Sequence, residues 1–288
     1  MHFVNAKSIL TPHSMNIYRG CSHGCIYCDS RSKCYQFTHE FEDIEVKQNA
    51  PELLEEALAN KRKRCMIGTG SMGDPYIPIE KELGLMRRCL EIIERYNFGA
   101  TLITKSDLVL RDLDILTRIN NKTKAVVQMT LTTADDDLCK LIEPGVCPTS
   151  RRFEVLSACR DAGIPTVVWF SPLLPFINDT QENIDGIIDY CARAGVKAIL
   201  CFGIGLTLRE GNREYFYKAL DRYFPGLKER YQKTFGYNYE VSSPRAHELY
   251  IYLKERCRQN KIMLGTDSVF KWIEEFPERE NLQQSLFD

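Results

Sequence analysis

The sequence predicts an α/β fold in which a parallel sheet, covered by helices, curls into an open six-stranded partial β/α barrel. Three observations carry that prediction. Short apolar runs rich in β-branched residues alternate with stretches whose apolar residues recur at helical spacing, as expected of strands buried on both faces. Counting residues 15–19 as the first strand, six such strand-and-helix units follow one another. Finally, polar or glycine-bearing residues fall just after strands one to four, at the carboxyl ends where β/α barrels build their sites.

Residues 1–14 lack periodicity, contain Pro12 and read as an N-terminal arm. Residues 15–19 deliver the segment Gly20-Cys-Ser-His-Gly-Cys-Ile-Tyr-Cys28, and residues 34–49 read as irregular. A helix starts at Pro51, a residue suited to a first helical turn, with Leu53, Leu54, Ala57 and Leu58 along one side. The run at 65–67 is the second strand and ends in a glycine loop; Leu83, Met86, Leu90 and Ile93 then mark one helix. The third strand, 101–104, leads into Lys105 and a helix marked by Val109, Leu113 and Leu116. Runs at 125–131, 166–170 and 198–202 complete the sheet. Between them lie helices carrying Phe153, Leu156 and Cys159, then Ile184, Ile187, Ile188 and Cys191, the second opened by Asp179-Thr180 as N-cap.

Past Gly205 the chain turns polar, helical and aromatic, with Tyr215, Phe216, Tyr223, Phe224 and Tyr231. Ser243-Pro244 caps a helix with Ala246, Leu249, Leu253 and Cys257; residues 268–276 suggest a short last helix, and the tail from Pro277 reads as loose. The organisation expected is an arm over 1–14, a barrel over 15–205, and a helical C-terminal extension over 206–288 packed on it.

Composition narrows the function. Hydrophobic residues make up 44% and charged residues 27% of 288 residues, and the net charge is −1, so no global field draws the chain to nucleic acid or membrane. No apolar run is long enough to span a bilayer, and the first residues do not read as a signal peptide, so the expectation is a cytoplasmic protein. The chain has 12 cysteines, which in such a setting point to metal or catalytic use for the clustered ones. Cys89, Cys159, Cys191, Cys201 and Cys257 read as small core residues, and Cys34, Cys139 and Cys147 as isolated structural thiols.

Cys21, Cys25 and Cys28, spaced C-x3-C-x2-C, must curl around something. Three thiolates are one short of the set that closes a structural zinc site or saturates a four-iron cluster. A [4Fe–4S] cluster held this way keeps one iron free to bind a small molecule. The alternatives are a redox thiol group or a zinc site completed by Cys34 or His39, although the two separated ligand pairs usual for zinc are missing. Tyr27 packs on the cluster or in the core, and His23 reads as a solvated loop residue. Gly68, Gly70 and Gly73 allow the backbone around Ser71 and Asp74 to approach a ligand. Asp74 suits an ammonium group or a ribose, Lys105 suits a carboxylate, and Thr130 and Thr132 point toward the same end of the sheet. An anion and a cation partner beside an open iron fit a zwitterionic amino-acid head group.

The run from Tyr18 to Asp29 resembles the signature of the radical SAM enzymes, in particular the spore photoproduct lyase-like branch often labelled "DNA repair photolyase". Asp74-Pro75, residues 104–107, Glu143-Pro144 and residues 175–179 are also similar to that branch, and the resemblance spans about residues 15–205. It implies a lyase-like enzyme that cleaves S-adenosylmethionine (SAM) reductively at a [4Fe–4S] cluster, generating a 5′-deoxyadenosyl radical. It further implies that Lys105 binds the SAM carboxylate, that Ser71 and Asp74 lie beside SAM, and that an electron donor such as flavodoxin or ferredoxin serves it. One departure stands out. Genuine spore photoproduct lyases are expected to carry a cysteine hydrogen donor on the loop after strand two, whereas here residues 70–74 hold no cysteine and Cys65 falls inside the strand.

The substrate is not named by these residues. Nucleic acid is one reading, although residues 61–64 and Arg151-Arg152 read first as solvated helix ends. The others are a peptide or small-metabolite maturase, and a zinc- or cluster-bearing binding protein without turnover.

Overall fold

The computed structural model describes residues 1–277. Its first five strands are short: β1 (His2–Val4), β2 (Leu10–Thr11), β3 (Ser14–Met15), β4 (Tyr18–Arg19) and β5 (Glu45–Lys47). Where one strand was expected over 15–19 there are two, serving different sheets. β3 runs parallel to the main sheet, while β4 pairs antiparallel with β5 in a small sheet ordered β1-β5-β4. The chain crosses at Asn16 and Ile17, where Ile17 is buried and its carbonyl accepts the Lys47 N–H at 3.1 Å.

The main sheet adds β6 (Met66–Thr69), β7 (Gly99–Thr104), β8 (Ala125–Thr130), β9 (Thr166–Trp169) and β10 (Ala198–Leu200). A two-stranded ribbon follows, β11 (Gly205–Thr207) with β12 (Glu240–Ser242), and the last strand is β13 (Met263–Leu264). The order across the sheet is β13-β10-β9-β8-β7-β6-β3-β2. From β3 to β13 every neighbouring pair is parallel, and β2 adds antiparallel at the edge. β2 and β13 are opposite edges, so the barrel stays open. The six expected strands are present, and β13 is a seventh parallel strand contributed from beyond residue 205.

Every residue of β8 is buried, so its run looks uniformly apolar, yet its two faces do different work. Val127 and Met129 join the main core with Ile67, Leu102 and Val168, against helix residues such as Leu90, Leu116 and Ile187. Val126 instead faces inward with Met66, Val167, Ala198 and Leu200, closing the lower barrel with Val269 and Ile273. Each fully buried Leu or Ile on the helix side contributes about 1.5–3 kcal/mol, so the helical cover holds the strand ends in place.

The helix expected from Leu83 to Ile93 is two, Glu80–Leu83 and Leu85–Arg95, broken at Gly84 with φ +62°. The helix after residue 179 is Gln181–Arg193, and Thr180 Oγ1 accepts the Asn183 N–H as expected of an N-cap. Helices Asn212–Tyr223 and Leu227–Phe235 bring Phe216, Tyr231 and Phe235 into one apolar cluster with Cys25, Ile26 and Tyr27. The aromatic C-terminal stretch thus covers the cysteine loop. Ser243 does not directly cap helix Ala246–Gln259: its Oγ accepts the Arg245 N–H at 3.0 Å and donates to Asp179 at 2.5 Å. The last helix is Thr266–Glu274; of the tail, all beyond Pro277 lies outside the described residues.

Candidate cluster and cofactor site

The cysteine loop leaves β4 and is fixed from outside before it turns. Gly20 has φ +92°, and a Cβ there would stand 2.5 Å from the Phe41 carbonyl oxygen, so only glycine fits. That carbonyl accepts the Cys21 N–H at 3.2 Å, and the Ile142 carbonyl accepts the Ile26 N–H at 2.9 Å. Cys25 is buried, while Cys21 and Cys28 are partly exposed. Burial pushes the Cys21 thiol up to about 12 and Cys25 well above its ordinary value. Thiols in this apolar setting become thiolates when a metal centre takes the proton's place.

Their spacing tests the two metal readings. Zinc–sulfur bonds of about 2.3 Å place two thiolates on one ion no more than about 4.6 Å apart. Among the described residues, only His2, His39 and Glu45 gather three His, Cys, Asp or Glu donors within 4.8 Å. At least one pair of the three sulfurs therefore stands farther apart than one zinc ion allows, whereas a [4Fe–4S] cluster takes each thiolate on a different iron. The fourth ligands considered for zinc are elsewhere: Arg209 Nη1 lies 3.1 Å from Cys34 Sγ, and His39 belongs to the other group.

Asp74 lies at the end of the loop after β6 and is buried. Its oxygens accept the Tyr76 N–H at 2.8 Å, the Thr104 hydroxyl at 2.7 Å and the Lys105 N–H at 2.7 Å. His23 Nε2 lies 3.0 Å from Asp74 Oδ2, without the alignment of a full hydrogen bond. Burial raises the Asp74 pKa, but His23 and the hydrogen bonds from Lys105 and Thr104 bring it down to about 2. These oxygens are occupied by the protein, so Asp74 latches three loops together. His23 is correspondingly not the solvated residue the sequence suggested. It is 3% exposed, its Nδ1 lies 3.2 Å from the Gly145 carbonyl, and its own carbonyl accepts the Gly145 N–H at 2.8 Å.

Gly70 makes a close approach of another kind from the one expected. With φ +98°, it presses on β7, where a Cβ would stand 2.1 Å from the Ile103 carbonyl oxygen. Ser71 is exposed and lines a cavity of about 1590 Å³ inside the open barrel. Thr101, Ile103, Gln128 and Trp169 line it from the strands, and residues 61–64 with Lys122 stand at its lower rim. Trp169 Nε1 donates to Gln128 Oε1 at 2.6 Å, and Gln128 Nε2 donates to Thr101 Oγ1 at 2.7 Å.

Lys105 comes directly after β7, and its N–H is held by Asp74. Burial works against its charge, yet Cys25, Glu143 and Asp74 outweigh it and raise the Lys105 pKa above its ordinary value. A cation held charged beside the cysteines is what a carboxylate ligand needs.

Beneath the loop lies an ion pair that the sequence did not reveal. Arg152 Nη2 is 2.6 Å from Glu143 Oε2, and both side chains are fully buried. Tyr27 donates its hydroxyl to Glu143, making it a core aromatic with a polar anchor. Thr132 Oγ1 lies 3.3 Å from Glu143 Oε1, and the Thr130 carbonyl accepts from Arg152 at 2.8 Å. Cys139 Sγ sits 3.3 Å from Arg152 Nη2, and Cys147 Sγ donates to the Lys105 carbonyl at 3.3 Å. Tyr27 and Thr132 thus meet at Glu143, and the Thr130 backbone meets Arg152.

The family model of the Radical SAM superfamily matches residues 15–185. The chain belongs to the Radical SAM superfamily. Among curated relatives, an uncharacterized protein of Mycobacterium tuberculosis is 29% identical over 242 residues, 80% of this chain and 69% of that one. An uncharacterized protein of Methanocaldococcus jannaschii is 32% identical over 190 residues, 63% and 70% of the two chains. Among solved structures, spore photoproduct lyase complexed with dinucleoside spore photoproduct superposes with TM-score 0.66 at 14% identity, covering 91% of this chain and 80% of that one. A radical SAM methyltransferase from Kitasatospora setae superposes with TM-score 0.56 at 14% identity, covering 88% and 54%. This radical SAM enzyme therefore has a spore photoproduct lyase-like fold, and no helix among its described residues is long and apolar enough to cross a membrane.

Proposed function

We propose that Cys21, Cys25 and Cys28 hold a [4Fe–4S] cluster at which SAM is cleaved, and that the radical acts on a substrate in the barrel cavity. The observation that supports it best is three buried or half-buried thiols in a C-x3-C-x2-C loop beside a Lys105 held charged. A [4Fe–4S] cluster held by these thiolates would supply one electron to the SAM sulfonium, splitting its carbon–sulfur bond into methionine and the 5′-deoxyadenosyl radical.

The chain's own residues orient and enclose. Lys105 pairs with the SAM carboxylate, while Asp74 and His23 fix the loops on either side. The exposed Ser71 is left to meet the cofactor, and the aromatic cluster around Phe216 and Tyr231 shields the cysteine loop from water. A flavodoxin or ferredoxin delivers the electron.

A nucleic-acid substrate has one observation beside it: Lys61, Arg62, Lys63 and Arg64 line the lower cavity rim, at the end away from the cysteine loop, while Lys122 there is paired with Glu94. Repair of a thymine lesion by a thiol on the loop after β6 is not part of the proposal, because residues 70–74 lack one. Anaerobic reconstitution with iron and sulfide, followed by dithionite and SAM, tests the reading. Wild type should release 5′-deoxyadenosine and Cys25→Ala should not; equal product from both, or none from iron-loaded wild type, overturns it. Oligonucleotide binding that weakens steeply with salt, and loses slope when Arg62 and Lys63 become Gln, supports the nucleic-acid reading.

A further inference from the structure

We propose that His2, His39 and Glu45 form a second metal site, separate from the cysteine loop, for a single divalent ion of the zinc class. One donor atom from each lies within 4.8 Å of the others. They come from three segments: β1, the loop before β5, and β5 itself. His2 and Glu45 are direct partners in the parallel β1–β5 pair, so their side chains share one face.

The ring nitrogens are prepared for coordination. His2 Nδ1 lies 3.0 Å from Asp43 Oδ2, and His39 Nδ1 lies 2.9 Å from the Glu40 carbonyl. These acceptors assign the proton of each neutral ring to Nδ1 and leave Nε2 as a bare lone pair. A carboxylate or carbonyl behind each imidazole is the arrangement that orients metal-bound histidines.

The decisive feature is His39 Nε2. It is buried without a hydrogen-bond partner and stands 3.8 Å from Glu45 Oε2. That gap is too long for a hydrogen bond, which spans about 2.7–3.2 Å. The lone pair of the neutral ring and the carboxylate repel each other until a proton or a metal ion sits between them, and the 3.8 Å gap is the wider spacing a metal ion fills. An ion about 2.0–2.1 Å from nitrogen and about 2.0–2.2 Å from oxygen bridges such a gap. The nearest competing cation is Arg19, whose Nη1 is 4.0 Å from the same oxygen. Its Nη2 is directed to the Tyr35 and Gln36 carbonyls, and its guanidinium lies over the Phe37 ring. Two His and one Glu leave a fourth position for water, and His2, 40% exposed, provides the way in.

The ion's role is positional. Phe41 lies between His39 and Glu45, and its carbonyl holds the Cys21 N–H. Clamping His39 to the small sheet therefore fixes the loop from which the first cluster cysteine hangs.

The test uses the chain as given, with no histidine tag. Cys21, Cys25 and Cys28 are replaced by Ala, so the outcome does not depend on the cluster. Cobalt(II) titration should show one equivalent bound, with visible ligand-field bands and no sulfur-to-cobalt charge-transfer band. His39→Gln, with an unchanged far-ultraviolet dichroism spectrum, should weaken binding at least about 100-fold, and Asp43→Asn about 10- to 100-fold. Zinc content of unreconstituted wild type against His2→Gln, by elemental analysis, repeats the comparison with the cysteine loop intact. No bound ion, equal binding in His39→Gln and its parent, or a sulfur charge-transfer band overturns the proposal.

Discussion

The cysteine loop and the His2–His39–Glu45 corner each gather three ligating side chains, and they do so in opposite ways. In the loop, three thiols come from eight consecutive residues, curl under an apolar lid and remain too far apart to share one ion. In the corner, three partly exposed donors from separate segments converge within 4.8 Å. Donor spacing, more than donor identity, distinguishes a seat for a many-atom cluster from a seat for one ion. One bond between the two proposed seats runs from Cys21 N–H to the Phe41 carbonyl.

Five substitutions in and around the loop sharpen this contrast. Cys25→Ala has the largest effect: cluster iron and 5′-deoxyadenosine both disappear, while zinc or cobalt binding at the corner persists. Loss of both metals together, measured by elemental analysis, breaks the separation of the two seats. Arg152→Met comes next, because it strands Glu143 as an uncompensated buried charge, at a cost of about 3–5 kcal/mol in urea unfolding. Adding Glu143→Leu should recover much of that loss, since a buried pair is often replaceable by apolar residues of similar volume. Additive losses instead would mean that Tyr27 and Thr132 depend on Glu143 itself.

Lys105→Met is expected to weaken SAM binding roughly 10- to 100-fold, as removal of a charge-assisted contact worth about 1.5–3 kcal/mol implies. Iron content should stay unchanged; equilibrium dialysis with the reconstituted protein checks both. Asp74→Asn gives the smallest effect, a loss of stability near neutral pH that disappears toward pH 2, where wild type has lost the same contribution. The folded-state pKa of Asp74, about 2, lies below its ordinary 3.8. Its stabilising contribution is complete above the ordinary value and is lost as pH falls from about 4 to about 2, amounting to roughly 2 kcal/mol. In the cluster-free chain, Asp74→Asn should flatten that acid limb; an unchanged profile would mean that other carboxylates control it.

The six-stranded sheet was legible because apolar runs and helical spacings are properties of contiguous residues. β13 was not, since two residues carry no period and only β10 defines them as a strand. The break between β3 and β4 depends on β5 and β6 pulling neighbouring dipeptides into different sheets. The site divides in the same way. The cysteines declare themselves by local spacing. His23 looked like a solvated loop residue because its partners, Asp74 and Gly145, arrive 51 and 122 residues later in the chain. Arg151 and Arg152 read as one basic pair, yet Arg151 is 42% exposed beside Asp107 while Arg152 is wholly buried on Glu143. Gln128 did leave a trace, as the one amide in an apolar strand, and its hydrogen bonds to Thr101 and Trp169 show that its face is the inner one.

Trp169 carries an optical consequence. The chain has two tryptophans; one lines the cavity, and the other, Trp272, lies under the Lys124 ammonium on the last helix. A molecule that enters the barrel and disturbs the indole's bond to Gln128 changes the environment of one of only two strong emitters. Candidate substrates can therefore be screened by intrinsic fluorescence, without label or turnover, in protein that has never seen iron.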